Sequence, residues 1–206
     1  MEPLSGRDPL VAKVRSVDVN LLLISGSLRA GSTNSAALRT AVALAGDGMH
    51  VVLYDGIGEL PHFNPDDDAE GSVPRLAVAE LRAAVAAADA LLICTPEYAG
   101  ALPGALKNLL EWTIGDAGTY DKPVAWINVS GPAAPSGGAD AHDSLRKVLG
   151  YAHAHVVEAA CVRVPLERQM VGEDGLVADE GARQGIARAL EELARHVAFR
   201  RGSSDA

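Results

Sequence analysis

The chain has 206 residues, 48% of them hydrophobic and 22% charged, with a formal net charge of −9 and a pI near 5.1. That balance suits one α/β domain with a sizeable core and argues against a general nucleic-acid or anionic-membrane surface. No apolar run is long enough to span a bilayer, and two cysteines in apolar runs, Cys94 and Cys161, read as reduced thiols of a cytoplasmic protein.

Residues 1–17 contain Pro3, Gly6 and Pro9 among charged side chains, with no sustained apolar core. They read as a flexible extension rather than a signal peptide. A single domain is expected over residues 18–201, and a flexible tail over 202–206.

The domain opens on an apolar run from Val19, long enough for a strand buried on both faces. A loop of small residues follows, Ser25-Gly26-Ser27-Leu28-Arg29-Ala30-Gly31-Ser32-Thr33-Asn34. From Ser35 to Ala45, Leu38, Ala41, Val42 and Ala45 recur at helical spacing. Strand, small-residue loop and helix together make a phosphate-binding geometry, because the first amides of the helix have no intrahelical acceptor and sit at its positive end. Ser27, Ser32, Thr33 and Asn34 can donate further hydrogen bonds, and Arg29 adds a full charge. Asn34 is also the natural N-cap of an ordinary turn here. The loop is not that of a nucleoside-triphosphate site, since Ser32 stands where the lysine is needed. Nor is it a dinucleotide fingerprint, since Leu28 stands where the second glycine belongs. Its hydroxyls suit a compact terminal phosphomonoester such as that of FMN.

Strands and helices then alternate. His50–Tyr54 reads as a second strand, 55–72 as a long loop and 73–88 as a helix. Ala90–Thr95 is a third strand, Pro103–Ile114 a helix, Pro123–Val129 a fourth strand and Gly137–Tyr151 a helix. Val157–Val164 is a fifth strand, and Glu180–Arg200 the last helix. Five strands alternating with five helices predict a flavodoxin-like doubly wound parallel sheet, order 2-1-3-4-5, with helices on both faces. Ligands of such sheets bind beyond the carboxyl ends of the strands at the switch point. That crevice would gather the loops after the first, third and fourth strands. Tyr98, on a loop stiffened by Pro96 and Pro103, is placed to face a flat heteroaromatic ring.

Other chemistries find little support. No serine has glycines two before and two after it, so a nucleophile elbow is absent. His153 and His155 have no third ligand nearby, Asp66-Asp67-Asp68 reads as a solvated run, and no metal site is expected. Asp55 ends the second strand, where dinucleotide folds carry a ribose-binding acid, but the matching glycines are missing.

Two segments carry a resemblance. Gly26-Ser27-Leu28-Arg29-x-x-Ser32-x-Asn34 and Pro96-Glu97-Tyr98, followed by Pro103-Gly104-x-Leu106-Lys107-Asn108 and Trp112, resemble the NAD(P)H-dependent FMN reductase family. That family is flavodoxin-like and includes quinone, chromate and azo-dye reductases. The resemblance implies that Ser27, Arg29, Ser32 and Asn34 hold the FMN phosphate. Pro96, Glu97 and Tyr98 would lie along the isoalloxazine ring, and Ser130 and Gly131 would complete the ring and ribityl pocket. Ala99 stands where the family often has asparagine, and Glu111 where it often has aspartate.

The implied activity passes hydride from NAD(P)H through FMN to a quinone, free flavin or similar small acceptor. No catalytic side chain of its own is required, since the chemistry belongs to flavin N5. The alternative is an FMN-binding electron carrier without nicotinamide activity. The resemblance also implies a homodimer or homotetramer, for which the helix from Gly104 to Ile114 offers a core side and an outward side.

Overall fold

In the computed structural model, which describes residues 18–204, β1 (Val19–Ser25) is an interior strand of the sheet. It pairs in parallel with β2 (Met49–Tyr54) on one side and β3 (Ala90–Cys94) on the other. β4 (Pro123–Asn128) follows β3, and the sheet runs β2-β1-β3-β4-β5. The expected strand order and winding are present.

Alternation along the buried strands divides the core in two. Leu21, Leu23, Leu92, Ala125 and Ile127 face one way, under α1 (Thr33–Ala43) and α5 (Glu180–Ser204). Leu22, Ile24, Leu91, Ile93 and Trp126 face the other, under α2 (Leu76–Ala87), α3 (Gly104–Trp112) and α4 (Ala139–Tyr151). Leu23, Ile24, Leu92 and Ile93 are 0% exposed, and each such side chain contributes about 1.5–3 kcal/mol by leaving water. This rigid sheet fixes where its carboxyl-end loops stand.

The fifth strand departs from expectation. The segment 157–164 is broken into β5 (His155–Val156) and β6 (Val162–Arg163), both paired with β4, with a 3-10 turn at Glu158–Ala160 between them. Ala159 and Ala160 are poor strand formers. The turn lets Ala160 bury fully under α5, while Glu158 reaches out to pair with Arg146 of α4.

Residues 202–204 continue α5, which is anchored by Arg200 to Asp121 and by Arg201 to Asp89. Residues 205–206 and the extension expected over 1–17 lie outside the described residues. Among the described residues, no helix is long and apolar enough to cross a membrane.

α3 turns Leu106, Leu109 and Leu110 into the chain's own core and carries the Lys107–Glu111 ion pair on its outward side. Asn108 is engaged within the chain. It accepts from the Phe63 amide at 2.7 Å and donates to the Pro61 carbonyl at 2.9 Å, where Trp112 Nε1 also donates. These bonds pin the long loop after β2 against α3.

Candidate functional site

The loop from β1 to α1 begins with a forced close approach. A Cβ on Gly26 would stand 2.3 Å from Thr95 Oγ1, so only glycine lets the chain leave β1 against the end of β3. The N-cap of α1 is Ser32 rather than Asn34. Its hydroxyl accepts from the Asn34 amide at 3.1 Å, and the helix starts at Thr33, two residues earlier than its apolar period suggests.

Asn34 is 6% exposed and its carboxamide works inside the loop. Nδ2 donates to Ser32 Oγ at 3.3 Å, and Oδ1 accepts from Cys94 Sγ at 3.3 Å. Complete burial pushes the Cys94 thiol far up, so it stays protonated and can serve as that donor. Asn34 thus struts the loop against β3.

Ser27 Oγ accepts from the Arg29 amide at 3.3 Å. Ser27 and Ser32 each accept within the loop, which leaves their O–H groups to donate outward. The Arg29 side chain makes no hydrogen bond or ion pair with another described residue.

The β3–α3 loop carries Pro96, Glu97 and Tyr98. Tyr98 and Ala101 exchange two backbone hydrogen bonds at 3.0 and 3.1 Å, and Ala99 and Gly100 have φ of 51° and 71°. These are the features of a type I′ turn. It leaves Tyr98 52% exposed. Glu97 Oε2 accepts from Ser136 Oγ at 2.5 Å and from the Ala141 amide at 3.3 Å. Its carboxylate is therefore turned onto the β4–α4 loop and the first turn of α4.

That loop is held at three more points. Asn128 bonds the Ser130 amide (2.9 Å) and the Gly137 carbonyl (2.8 Å), and His142 Nδ1 donates to the Gly138 carbonyl at 2.6 Å. Gly138 has φ of 82°, and a Cβ there would stand 2.3 Å from Ser130 Oγ, so glycine is required. Burial lowers the His142 pKa, against raising contributions from the Gly138 bond, Glu97 and Asp143.

These loops enclose a cavity of about 290 Å³ beyond the carboxyl ends of β1, β3 and β4. Ser27, Arg29, Ser32, Thr33, Asn34, Pro96, Glu97, Tyr98, Ser130 and Gly131 all line it. The sequence reading missed Leu166 and Arg168, which close its far side. Arg168 Nη2 lies 3.6 Å from where a Cβ on Gly31 would stand, and its side chain makes no hydrogen bond or ion pair with another described residue. Nothing local marks Arg168, because only the fold carries it to the loop.

The donor set matches a phosphomonoester. Two outward hydroxyls, the unpaired amides of α1's first turn and two unpaired guanidinium groups meet at one loop. Beyond them, an exposed tyrosine and a proline suit a flat ring.

A family model described as NADPH-dependent FMN reductase matches residues 19–169. An NAD(P)H-dependent FMN reductase of Pseudomonas aeruginosa is 37% identical over 189 residues, covering 91% of this chain and 100% of that protein. A quinone reductase of Escherichia coli K12 is 33% identical over 144 residues, covering 69% of this chain and 75% of that one. Among solved structures, the flavoenzyme FerB, an NAD(P)H:acceptor oxidoreductase of Paracoccus denitrificans, matches with a TM-score of 0.75 at 25% identity. That match covers 88% of this chain and 98% of the other.

Proposed function

Because the chain belongs to the NADPH-dependent FMN reductase family, we propose that the cavity beyond β1, β3 and β4 is where its FMN is held. The protein is an NAD(P)H-dependent flavoprotein oxidoreductase. Ser27, Arg29, Ser32 and Thr33 serve the terminal phosphate, and Asn34 keeps the loop in shape for it. Pro96, Tyr98, Ser130 and Gly131 lie along the ring and ribityl chain, with Glu97 fastening the two loops together. The observation that carries this reading is the meeting of these residues, drawn from three separate loops, around one cavity.

FMN, when bound, supplies the hydride chemistry at its N5. The chain's own residues bind the phosphate, orient the ring between two fastened loops and leave one side open beside Tyr98. The acceptor is a quinone, a free flavin or a similar small molecule, a reading supported by relatives named as quinone reductases. An electron carrier without nicotinamide activity is not favoured. Purified protein supplied with FMN should oxidise NADH or NADPH when a benzoquinone is added. Absence of oxidation with both nicotinamides would remove the reading.

We also infer a homodimer or homotetramer in the cytoplasm. The unpaired Cys94 and Cys161 support the compartment. Light scattering at micromolar concentration tests the assembly, and a monomer would overturn it.

A further inference from the structure

A second cavity, of about 400 Å³, lies on the other side of the phosphate loop, between that loop and the carboxyl end of β2. Ser27, Arg29 and Gly31 line both cavities, so the two adjoin across the thickness of the loop. Apart from these shared loop residues, the walls of the second cavity have no part in holding FMN as described above.

Its walls combine three kinds of chemistry. Leu28 is 63% exposed, with Cδ2 only 3.5 Å from where a Cβ on Gly58 would stand, so it forms an apolar lip over the cavity. Asp55, directly after β2, presents an exposed carboxylate that makes no hydrogen bond or ion pair with another described residue. Beside it Tyr54 stays protonated, its pKa raised to about 12 by burial and then by Glu80 and Asp55, so its hydroxyl remains a donor. Arg29 stands between the cavities. Arg39 lines the second one and spends Nε and one Nη on the Gly175 carbonyl, at 3.4 and 3.3 Å, leaving its other Nη free.

A nicotinamide dinucleotide that presents its reacting ring to a flavin in the first cavity has a second half to place. The cavity across the loop pairs an apolar lip with a carboxylate and two cations. Adenine stacks on apolar surface, a ribose diol donates to a carboxylate at the end of a second strand, and a diphosphate is met by arginine. The missing glycine fingerprint is no obstacle, because the loop's own anion site is already given to FMN. We propose that the second cavity takes the adenosine half of the nicotinamide co-substrate, with Leu28 against adenine, Asp55 accepting from the ribose hydroxyls, and Arg29 and Arg39 facing the diphosphate. The proposal rests on the NAD(P)H-dependent activity stated above.

The FMN-loaded protein and its Asp55→Ala variant would be compared with NADH and with reduced nicotinamide mononucleotide, which keeps the reacting ring but lacks adenosine. The ratio of kcat/KM for NADH to that for the mononucleotide should fall about tenfold in the variant, the worth of one charge-assisted hydrogen bond. Leu28→Ser should lower the same ratio. ADP-ribose, which has no reacting ring, should bind the wild type by calorimetry and bind Asp55→Ala about tenfold more weakly. An unchanged ratio with unchanged ADP-ribose binding would overturn the proposal while leaving the activity intact. A wild type that oxidises neither NADH nor NADPH would remove the activity and the proposal together.

Discussion

The Ser136 hydroxyl donates to the Glu97 carboxylate, and through that bond the loop after β3 holds the loop after β4. Glu97, expected along the flavin ring, lines the proposed FMN cavity, and its side chain ties together two of that cavity's walls. Ser136 also accepts from the Gly138 amide at 3.1 Å, so the fastening extends to the start of α4.

Glu97→Ala and Ser136→Ala should each weaken FMN by about 1–2 kcal/mol, since each removes a half-buried bond to a charge. The double variant should cost little more than either single one, because both remove the same link. Glu97→Gln, which still offers an acceptor oxygen, should recover most of the loss. Flavin fluorescence titration measures all four, and additive losses would show that the two residues act separately.

Arg29 and Arg168 flank the same loop from opposite directions of the chain. Replacing either with alanine should weaken FMN about tenfold or more while riboflavin, which lacks the phosphate, changes little. Equal losses for both flavins in the Arg168 variant would place that residue away from the phosphate.

Ala99 sits at a φ of 51°, a conformation that costs an L-residue roughly 1–2 kcal/mol and that asparagine tolerates best after glycine. Ala99→Asn should therefore raise stability by about 0.5–1 kcal/mol in denaturant unfolding.

Burial lowers the pKa of His142 and of His196 below 6.5, so the unfolded chain takes up these protons first. Their contribution is whole above that value and is lost as pH falls below it. The melting temperature should drop between about pH 7.5 and about pH 5.5, and His142→Asn should make the drop smaller. Asparagine can still donate to the Gly138 carbonyl, so the variant keeps the loop anchor. An unchanged slope would show that His142 does not carry this pH dependence.

The winding of the sheet was legible because β1, β3 and β4 are unbroken apolar runs separated by helices with clear spacing. The loop proposed to hold the phosphate stood out because its hydroxyls, glycines and Arg29 are contiguous. What the sequence hid is tertiary. Arg168 is brought to the loop only by the fold, from the segment after β6, and Glu97 declares its role only when Ser136 is brought beside it. The break at Glu158–Ala160 depends on Arg146 and on space beneath α5, neither of which shows in a run that reads as a strand. The N-cap is Ser32 rather than Asn34 because the Ser32 hydroxyl takes the Asn34 amide, while the Asn34 carboxamide is engaged by Ser32 and by Cys94 of β3.

The loop from Ser27 to Asn34 is proposed to close on a terminal phosphate. Titration of the flavin-free protein with FMN and with riboflavin, followed by flavin fluorescence, tests it most directly. FMN should bind at least about a hundredfold more tightly than riboflavin, the worth of two or more charge-assisted hydrogen bonds. Equal affinity for the two flavins would contradict the account.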